Sequence, residues 1–114
     1  MLQKKFIGLV YGNLSVEGIR EVFEAHPNIV EWAFVLHDRM PYKDSCMKRH
    51  YHIFIRLNVP ERSYFVEKWF ENAVARIEPF RSDDNGDIFR YMATDEQYSS
   101  TGLVANFNLK KYLA

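Results

Sequence analysis

The segment RHYHIFIRL, residues 49–57, decides the fold. Its apolar and polar residues alternate, which is typical of a β-strand with two different faces. The alternation puts His50, His52, Phe54 and Arg56 on one face and Tyr51, Ile53, Ile55 and Leu57 on the other. One face of this strand therefore carries two imidazoles, and the other carries an apolar row that can join a core.

A second strand, VEWAFVLH at residues 30–37, precedes this segment, and a polar loop at residues 38–49 separates the two. An antiparallel pairing of the two strands brings His37 next to His50 and His52. Three imidazoles on adjacent strands can bind one cation and leave its other positions open, as a catalytic metal site requires. The hairpin predicts a metal site on one face of a sheet. Histidines that serve packing and bind no ligand are the open alternative.

The other predicted strands and helices give the chain a recognised order of secondary-structure elements. We predict strands at Lys4–Tyr11 and Arg76–Phe80, a helix from Ser15 to about Ala25, a helix from Pro60 to about Ala75 and a short helix from Asp87 to about Ala93. The β-α-β-β-α-β order predicts an α+β, ferredoxin-like fold, an antiparallel sheet with helices on one face plus a C-terminal helical segment that carries a tyrosine. A chain of 114 residues is long enough for one core, so we expect a single domain over residues 1–114.

Charge is balanced overall, with fifteen basic and fifteen acidic side chains. This balance argues against strong non-specific binding of nucleic acid. A local basic group surrounds the histidines and could hold phosphates, with a solvated basic loop as the alternative; its members are Arg39, Lys43, Lys48, Arg49 and Arg56.

The composition also indicates where the protein works. Cys46 is the single cysteine, so the chain forms no internal disulfide and suits a reducing compartment. The sequence has neither an apolar run of membrane-spanning length nor a signal-peptide pattern at its N-terminus. We expect a cytoplasmic protein with no membrane partner.

Two tyrosines follow the predicted fourth strand, Tyr91 and Tyr98. A tyrosyl hydroxyl near a divalent cation can act as the nucleophile in phosphodiester transfer. The unperturbed phenol has a pKa near 10, so a nearby charge must help it to attack. The residues alone are equally compatible with two tyrosines that have no special role.

Four segments resemble, in order and spacing, the motifs of the small Rep proteins of rolling-circle plasmids, which belong to the HUH endonuclease superfamily. They are FVLHD at residues 34–38, HYHIFIRL at 50–57, FRYMATDEQYSS at 89–100 and NFNLKKYL at 106–113. The resemblance covers nearly the whole chain, and its histidine-hydrophobic-histidine motif is His50-Tyr51-His52. It implies a replication initiator that nicks and rejoins single-stranded DNA at an origin.

The resemblance also implies particular roles for residues. His37, His50 and His52 would bind manganese or magnesium, and Tyr98, in preference to Tyr91, would form a 5′-phosphotyrosine. The chain departs from the family at position 40, where Met40 replaces an acidic metal ligand. Three imidazoles by themselves favour zinc or another late transition ion, in tension with the implied metal.

Other readings of the sequence stay open. A relaxase or a single-tyrosine transposase shares the histidine pair. A ferredoxin-like module could bind nucleic acid without cutting it, and a zinc-dependent hydrolase would bind zinc tightly and form no DNA adduct. As the nuclease domain of a longer initiator, the chain could also belong to an oligomer.

Overall fold

The computed structural model describes residues 2–39, 49–71, 73–81, 85–109 and 112. These residues form an α+β fold with a five-stranded antiparallel sheet and three α-helices. The strands are β1 (Gln3–Tyr11), β2 (Ile29–His37), β3 (His50–Glu61), β4 (Val74–Pro79) and β5 (Leu103–Ala105). The helices are α1 (Val16–Ala25), α2 (Ser63–Glu67) and α3 (Asn85–Thr94), and a 3₁₀ turn follows at Asp95–Tyr98.

The strands lie in the order β4-β1-β3-β2-β5, and every neighbouring pair is antiparallel. The arrangement of the first four strands is consistent with the ferredoxin-like fold expected from the sequence. β5 was not expected, because the sequence after residue 102 has no clear period. It pairs with the outer edge of β2, where the Asn106 side chain accepts a hydrogen bond from the Trp32 N–H and donates one to the Val30 carbonyl.

Local sequence signals account for most element boundaries. β1, β2 and β4 begin and end within two residues of the expected strands. Helix α1 begins after Ser15, whose hydroxyl accepts a hydrogen bond from the Gly18 N–H at 3.0 Å, so the expected N-cap is confirmed.

The helix predicted from Pro60 to about Ala75 is wrong in its extent. Pro60 lies in β3, which continues to Glu61, and α2 covers only Ser63–Glu67. The extension of β3 is held by Asn28, whose side-chain amide donates to the Val59 carbonyl and accepts from the Val59 N–H. These bonds give the end of β3 hydrogen-bond partners. Pro60 therefore lies in a strand, although proline also suits the first turn of a helix.

Two apolar clusters lie on opposite faces of the sheet. Helices α1 and α2 cover one face, with Phe23 and Val66 buried among strand residues. Helix α3 and the C-terminal segment cover the other face, where Phe89 and Met92 pack against Phe54. The histidine face of β3 is thus the face under α3. None of the described helices is long and apolar enough to cross a membrane.

Candidate metal centre

The pairing of β2 with β3 brings the three predicted histidines together. His37, the last residue of β2, is directly opposite His50, the first residue of β3, and His52 is two residues further along the same face. Directly opposed residues share a face of an antiparallel sheet. The hairpin register alone therefore gathers the imidazoles, as the sequence predicted.

The three imidazole rings are close neighbours. His37 Nδ1 lies 3.3 Å from His50 Nε2, and His50 Nε2 lies 3.2 Å from His52 Nε2. One ligand atom from each residue can be chosen so that all lie within 4.8 Å of one another. His37 and His50 are buried, with 7% and 3% of their surface exposed, so these two rings are shielded from bulk water, whereas His52 is partly exposed.

The protein environment favours the neutral imidazoles that bind metals. Burial, and then the nearby His50, lowers the pKa of His37 below 6.5, although Asp95 and Asp38 act in the opposite direction. Burial is also the main cause that lowers the pKa of His52 to about 4, with His50 and His37 adding to it. Near neutral pH both rings keep a lone pair for a cation.

The donor set fits a divalent cation. The ring nitrogen of His37 that faces His50 is Nδ1, whereas its buried Nε2 has no hydrogen-bond partner among the described residues. In a tetrahedral site with bonds of 2.0–2.1 Å, ligand atoms lie about 3.3–3.4 Å apart. Two separations in this cluster, from His50 Nε2 to His37 Nδ1 and to His52 Nε2, are close to that spacing.

Tyr98 is held beside the imidazole cluster by main-chain hydrogen bonds to the residues that follow His37. Its carbonyl accepts hydrogen bonds from the N–H groups of Asp38 and Arg39, at 3.1 and 2.8 Å, directly after the end of β2. Its ring centroid lies 5.4 Å from that of His37. Asp38 is engaged in turn by Ser100, whose N–H and hydroxyl both donate to its carboxylate.

Two further tyrosines border the same cluster. Tyr91 on α3 is 55% exposed, and its ring centroid lies 5.8 Å from that of His52. Tyr11 at the end of β1 lies 5.3 Å from His50 by the same measure. Each histidine thus has one tyrosine beside it. The sequence had singled out Tyr91 and Tyr98, but not Tyr11, which reaches the site because β1 pairs with β3.

No protein-family model matches this sequence, and no curated protein matches it significantly. The chemistry of the site is therefore argued from its geometry. That geometry combines three adjacent imidazoles, of which His37 and His52 have a lowered pKa, with tyrosine rings beside them.

Asp95 is a site residue that the sequence reasoning missed. It opens the 3₁₀ turn, and its Oδ2 lies 3.5 Å from His52 Nε2, with 17% of the side chain exposed. Forty-three positions of chain separate Asp95 from His52, and only the packing of the segment after α3 across the sheet brings them together. No local motif signals this contact.

The described residues among the predicted DNA-binding residues lie in different parts of the structure. Arg39 is exposed next to the histidines. Arg49 donates to the Gly12 carbonyl and the Tyr51 hydroxyl, on the side of β3 away from the histidines. Arg56 pairs with Glu31 at 2.7 Å. Lys43 and Lys48 lie outside the described residues, as does Met40.

A cleft of about 450 Å³ opens beside the histidines. It is lined by residues of β1 and β4, by α3 and by His52, and the Tyr91 side chain borders it. Glu67, Arg76 and Glu78 supply charged groups to an otherwise mainly apolar lining. The volume lies within the range of small-molecule sites.

Proposed function

We propose that this protein is a metal-dependent enzyme that nicks and rejoins single-stranded DNA, acting as a replication initiator of the HUH type. The observation that carries the proposal is the cluster of His37, His50 and His52, whose ligand atoms lie within 4.8 Å of one another, with the Tyr98 ring beside it. The strand order supports the detailed ferredoxin-like topology that the proposal includes. The preference for a plasmid origin rests on the sequence resemblance alone.

A divalent cation, manganese or magnesium, supplies Lewis-acid polarisation of a phosphate oxygen when these imidazoles hold it. The burial of His37 and His50 excludes water from one side of the site and strengthens electrostatic interactions there. Arg39, exposed next to His37, can attract the DNA backbone. The chain thus offers a position for a phosphate beside the histidines.

In the proposed reaction, the Tyr98 hydroxyl attacks the scissile phosphorus. A bond forms between Oη and phosphorus, the bond from phosphorus to the 3′ oxygen breaks, and the phenolic proton ends on that oxygen. The products are a 5′-phosphotyrosine and a free 3′ hydroxyl, which can prime synthesis. Attack by a 3′ hydroxyl on the phosphotyrosine reverses the step and rejoins the strand without ATP.

Tyr91 is the alternative nucleophile. It is the more exposed of the two tyrosines and borders the cleft next to His52, whereas Tyr98 is half-buried and fixed beside His37. We keep Tyr98 as the proposed nucleophile because its main chain is tied to the residues that follow a metal-binding histidine. The experiment must test both.

The test is incubation with a mixed-sequence pool of single-stranded oligonucleotides and manganese, followed by a denaturing gel and mass spectrometry of any protein-DNA adduct. We expect an adduct on Tyr98 that Tyr98→Phe abolishes and Tyr91→Phe preserves, with DNA binding within about twofold of the parent in both. An adduct that survives in Tyr98→Phe and is lost in Tyr91→Phe moves the nucleophile to Tyr91. If no adduct forms while metal occupancy is verified, the protein is a binding module or a zinc-dependent hydrolase.

The histidines are tested separately. We expect the double change of His50 and His52 to alanine to abolish both manganese binding and adduct formation. His26→Ala is the matched control, because His26 stacks on Trp69 and is not part of the imidazole cluster. Cleavage that persists in the double variant contradicts the metal-dependent mechanism.

A further inference from the structure

We propose that Asp95 is the fourth protein ligand of this metal centre and supplies the oxygen donor that Met40 cannot. The proposal rests on the metal site included in the proposed function. Its starting point is the distance of 3.5 Å between Asp95 Oδ2 and His52 Nε2. Only 17% of the Asp95 side chain is exposed, so the carboxylate is held against the site.

The nitrogen of His52 that Asp95 contacts shows whether Asp95 can bind the metal or only orients the His52 ring. A carboxylate that orients a metal-bound histidine accepts a hydrogen bond from the ring nitrogen that faces away from the metal. Asp95 instead contacts Nε2 of His52, the nitrogen that also lies 3.2 Å from His50 Nε2. The carboxylate therefore lies on the side where the ring nitrogens converge.

The spacing agrees with that assignment. Ligand atoms of one tetrahedral site lie about 3.3–3.4 Å apart when bonds are 2.0–2.1 Å long. The contact between Asp95 and His52, at 3.5 Å, is close to this value, as are the contacts of His50 with His37 and His52. Asp95 is not among the residues whose ligand atoms already lie within 4.8 Å of one another, so its carboxylate must move closer to His37 and His50 when it joins the set.

A carboxylate in the donor set changes which ions the site prefers. Three neutral imidazoles favour late transition ions, whereas a carboxylate oxygen adds charge and suits manganese and magnesium. Four protein ligands leave two positions open on a six-coordinate ion but none on a tetrahedral one. Zinc bound by all four groups closes the site, so zinc is expected to inhibit nicking.

Asp95 also connects the centre to the proposed nucleophile. Asp95 and Tyr98 are the first and last residues of the 3₁₀ turn, and side chains three residues apart project in the same direction in such a turn. Asp95 lies beside His52, and Tyr98 lies beside His37. Coordination through Asp95 therefore holds the turn that carries Tyr98 against the site.

The deciding experiment replaces the carboxylate with a thiol and uses cobalt(II) as the probe, in a Cys46→Ser background. A thiolate bound directly to cobalt gives a near-ultraviolet charge-transfer band, whereas a thiol nearby gives none. We expect the band in Asp95→Cys and not in the background protein. Glu96→Cys is the matched control, because Glu96 is exposed on the same turn and its thiol should give no band.

Affinity gives a second measurement that needs no DNA. We expect Asp95→Asn to weaken manganese binding at least tenfold in calorimetry and zinc binding by a smaller factor, with Glu96→Gln unchanged. Each variant is also compared with its own metal-free melting temperature, so that a loss of stability is not mistaken for a loss of affinity. This comparison holds even if a substitution weakens the fold.

Two results overturn the proposal. Bound cobalt without a charge-transfer band in Asp95→Cys excludes Asp95 from the coordination shell, and manganese affinity of Asp95→Asn within twofold of the parent reduces Asp95 to a counter-charge for His52. Neither result argues against the three-histidine site or the proposed nicking chemistry. Conversely, coordination by Asp95 without any DNA adduct supports this inference and removes the proposed function.

Discussion

The imidazoles at the ends of β2 and β3 are buried and close together, and this sets how the protein responds to acid. His37 and His52 both have a lowered pKa in the folded state, with burial as the first cause. A group whose folded pKa is below its unfolded value binds a proton first in the unfolded chain. Acid therefore favours unfolding through these residues.

We expect the metal-free protein to lose stability as the pH falls from about 6.5, the unfolded histidine value, towards about 4, the folded value for His52. The contribution is present above this range and is lost within it. The measurement is the melting temperature as a function of pH in a chelator. His52→Gln should flatten the dependence, and equal slopes in both proteins would rule out this origin.

His26 is the control for that experiment. Burial lowers its pKa as well, but its ring stacks on Trp69, between α1 and the segment after α2. His26→Gln should remove part of the pH dependence without changing metal affinity. His52→Gln should change both.

At the same scale, the sequence predicted the three histidines but not Asp95 or Tyr11. The histidines follow from strand alternation and one hairpin, both of which are local. Asp95 and Tyr11 reach the site only through the packing of the turn after α3 and the pairing of β1 with β3. Contacts of this kind depend on tertiary arrangement, so a single sequence carries no local signal for them.

At the scale of elements, β5 and the end of β3 show where tertiary contacts override the local sequence preferences. β5 has only three residues and exists because β2 offers an unpaired edge. Pro60 is a frequent first residue of helices, but Asn28 holds the chain around it as strand. Elements such as α1 and β2 were predictable because their hydrophobic periodicity and their capping residues agree with their tertiary surroundings.

Asn106 is the residue that fastens the C-terminal segment to the sheet. Its side chain bonds both the Trp32 N–H, at 2.8 Å, and the Val30 carbonyl. We expect Asn106→Ala to lower the free energy of unfolding by about 1–3 kcal/mol, because the partly buried Trp32 N–H loses its partner. Urea denaturation measures this.

Asn58→Ala is the matched control, since Asn58 is an exposed asparagine on β3. It should change the free energy of unfolding by less than about 0.5 kcal/mol. Similar losses in both variants would show that the two bonds of Asn106 contribute little.

At the scale of the whole molecule, the sheet separates two apolar layers, and the imidazole cluster lies on the side of only one of them. The layer under α1 and α2 contains Phe23, stacked 5.0 Å from Trp32. The layer under α3 contains Phe89, whose ring lies 4.9 Å from Phe54. The imidazole cluster and both candidate nucleophiles are on the α3 side, so the two layers can be perturbed independently.

We expect Phe23→Leu and Phe89→Leu each to cost about 1–2 kcal/mol of stability, because both remove volume from a filled core. Only Phe89→Leu should also weaken manganese binding, since it shifts α3 and the turn that follows it. Calorimetry at a temperature where both variants are folded measures the difference. Equal manganese affinities would show that the position of α3 does not control the site.

The hydrogen bonds from the main chain of residues 38 and 39 to the Tyr98 carbonyl have a consequence for mutational tolerance. A position fixed through peptide groups does not depend on which side chain stands at Arg39. Residue 39 can therefore vary in charge and size while the main chain of Tyr98 stays in place. Proline is the exception, because it lacks the N–H that holds the two segments together.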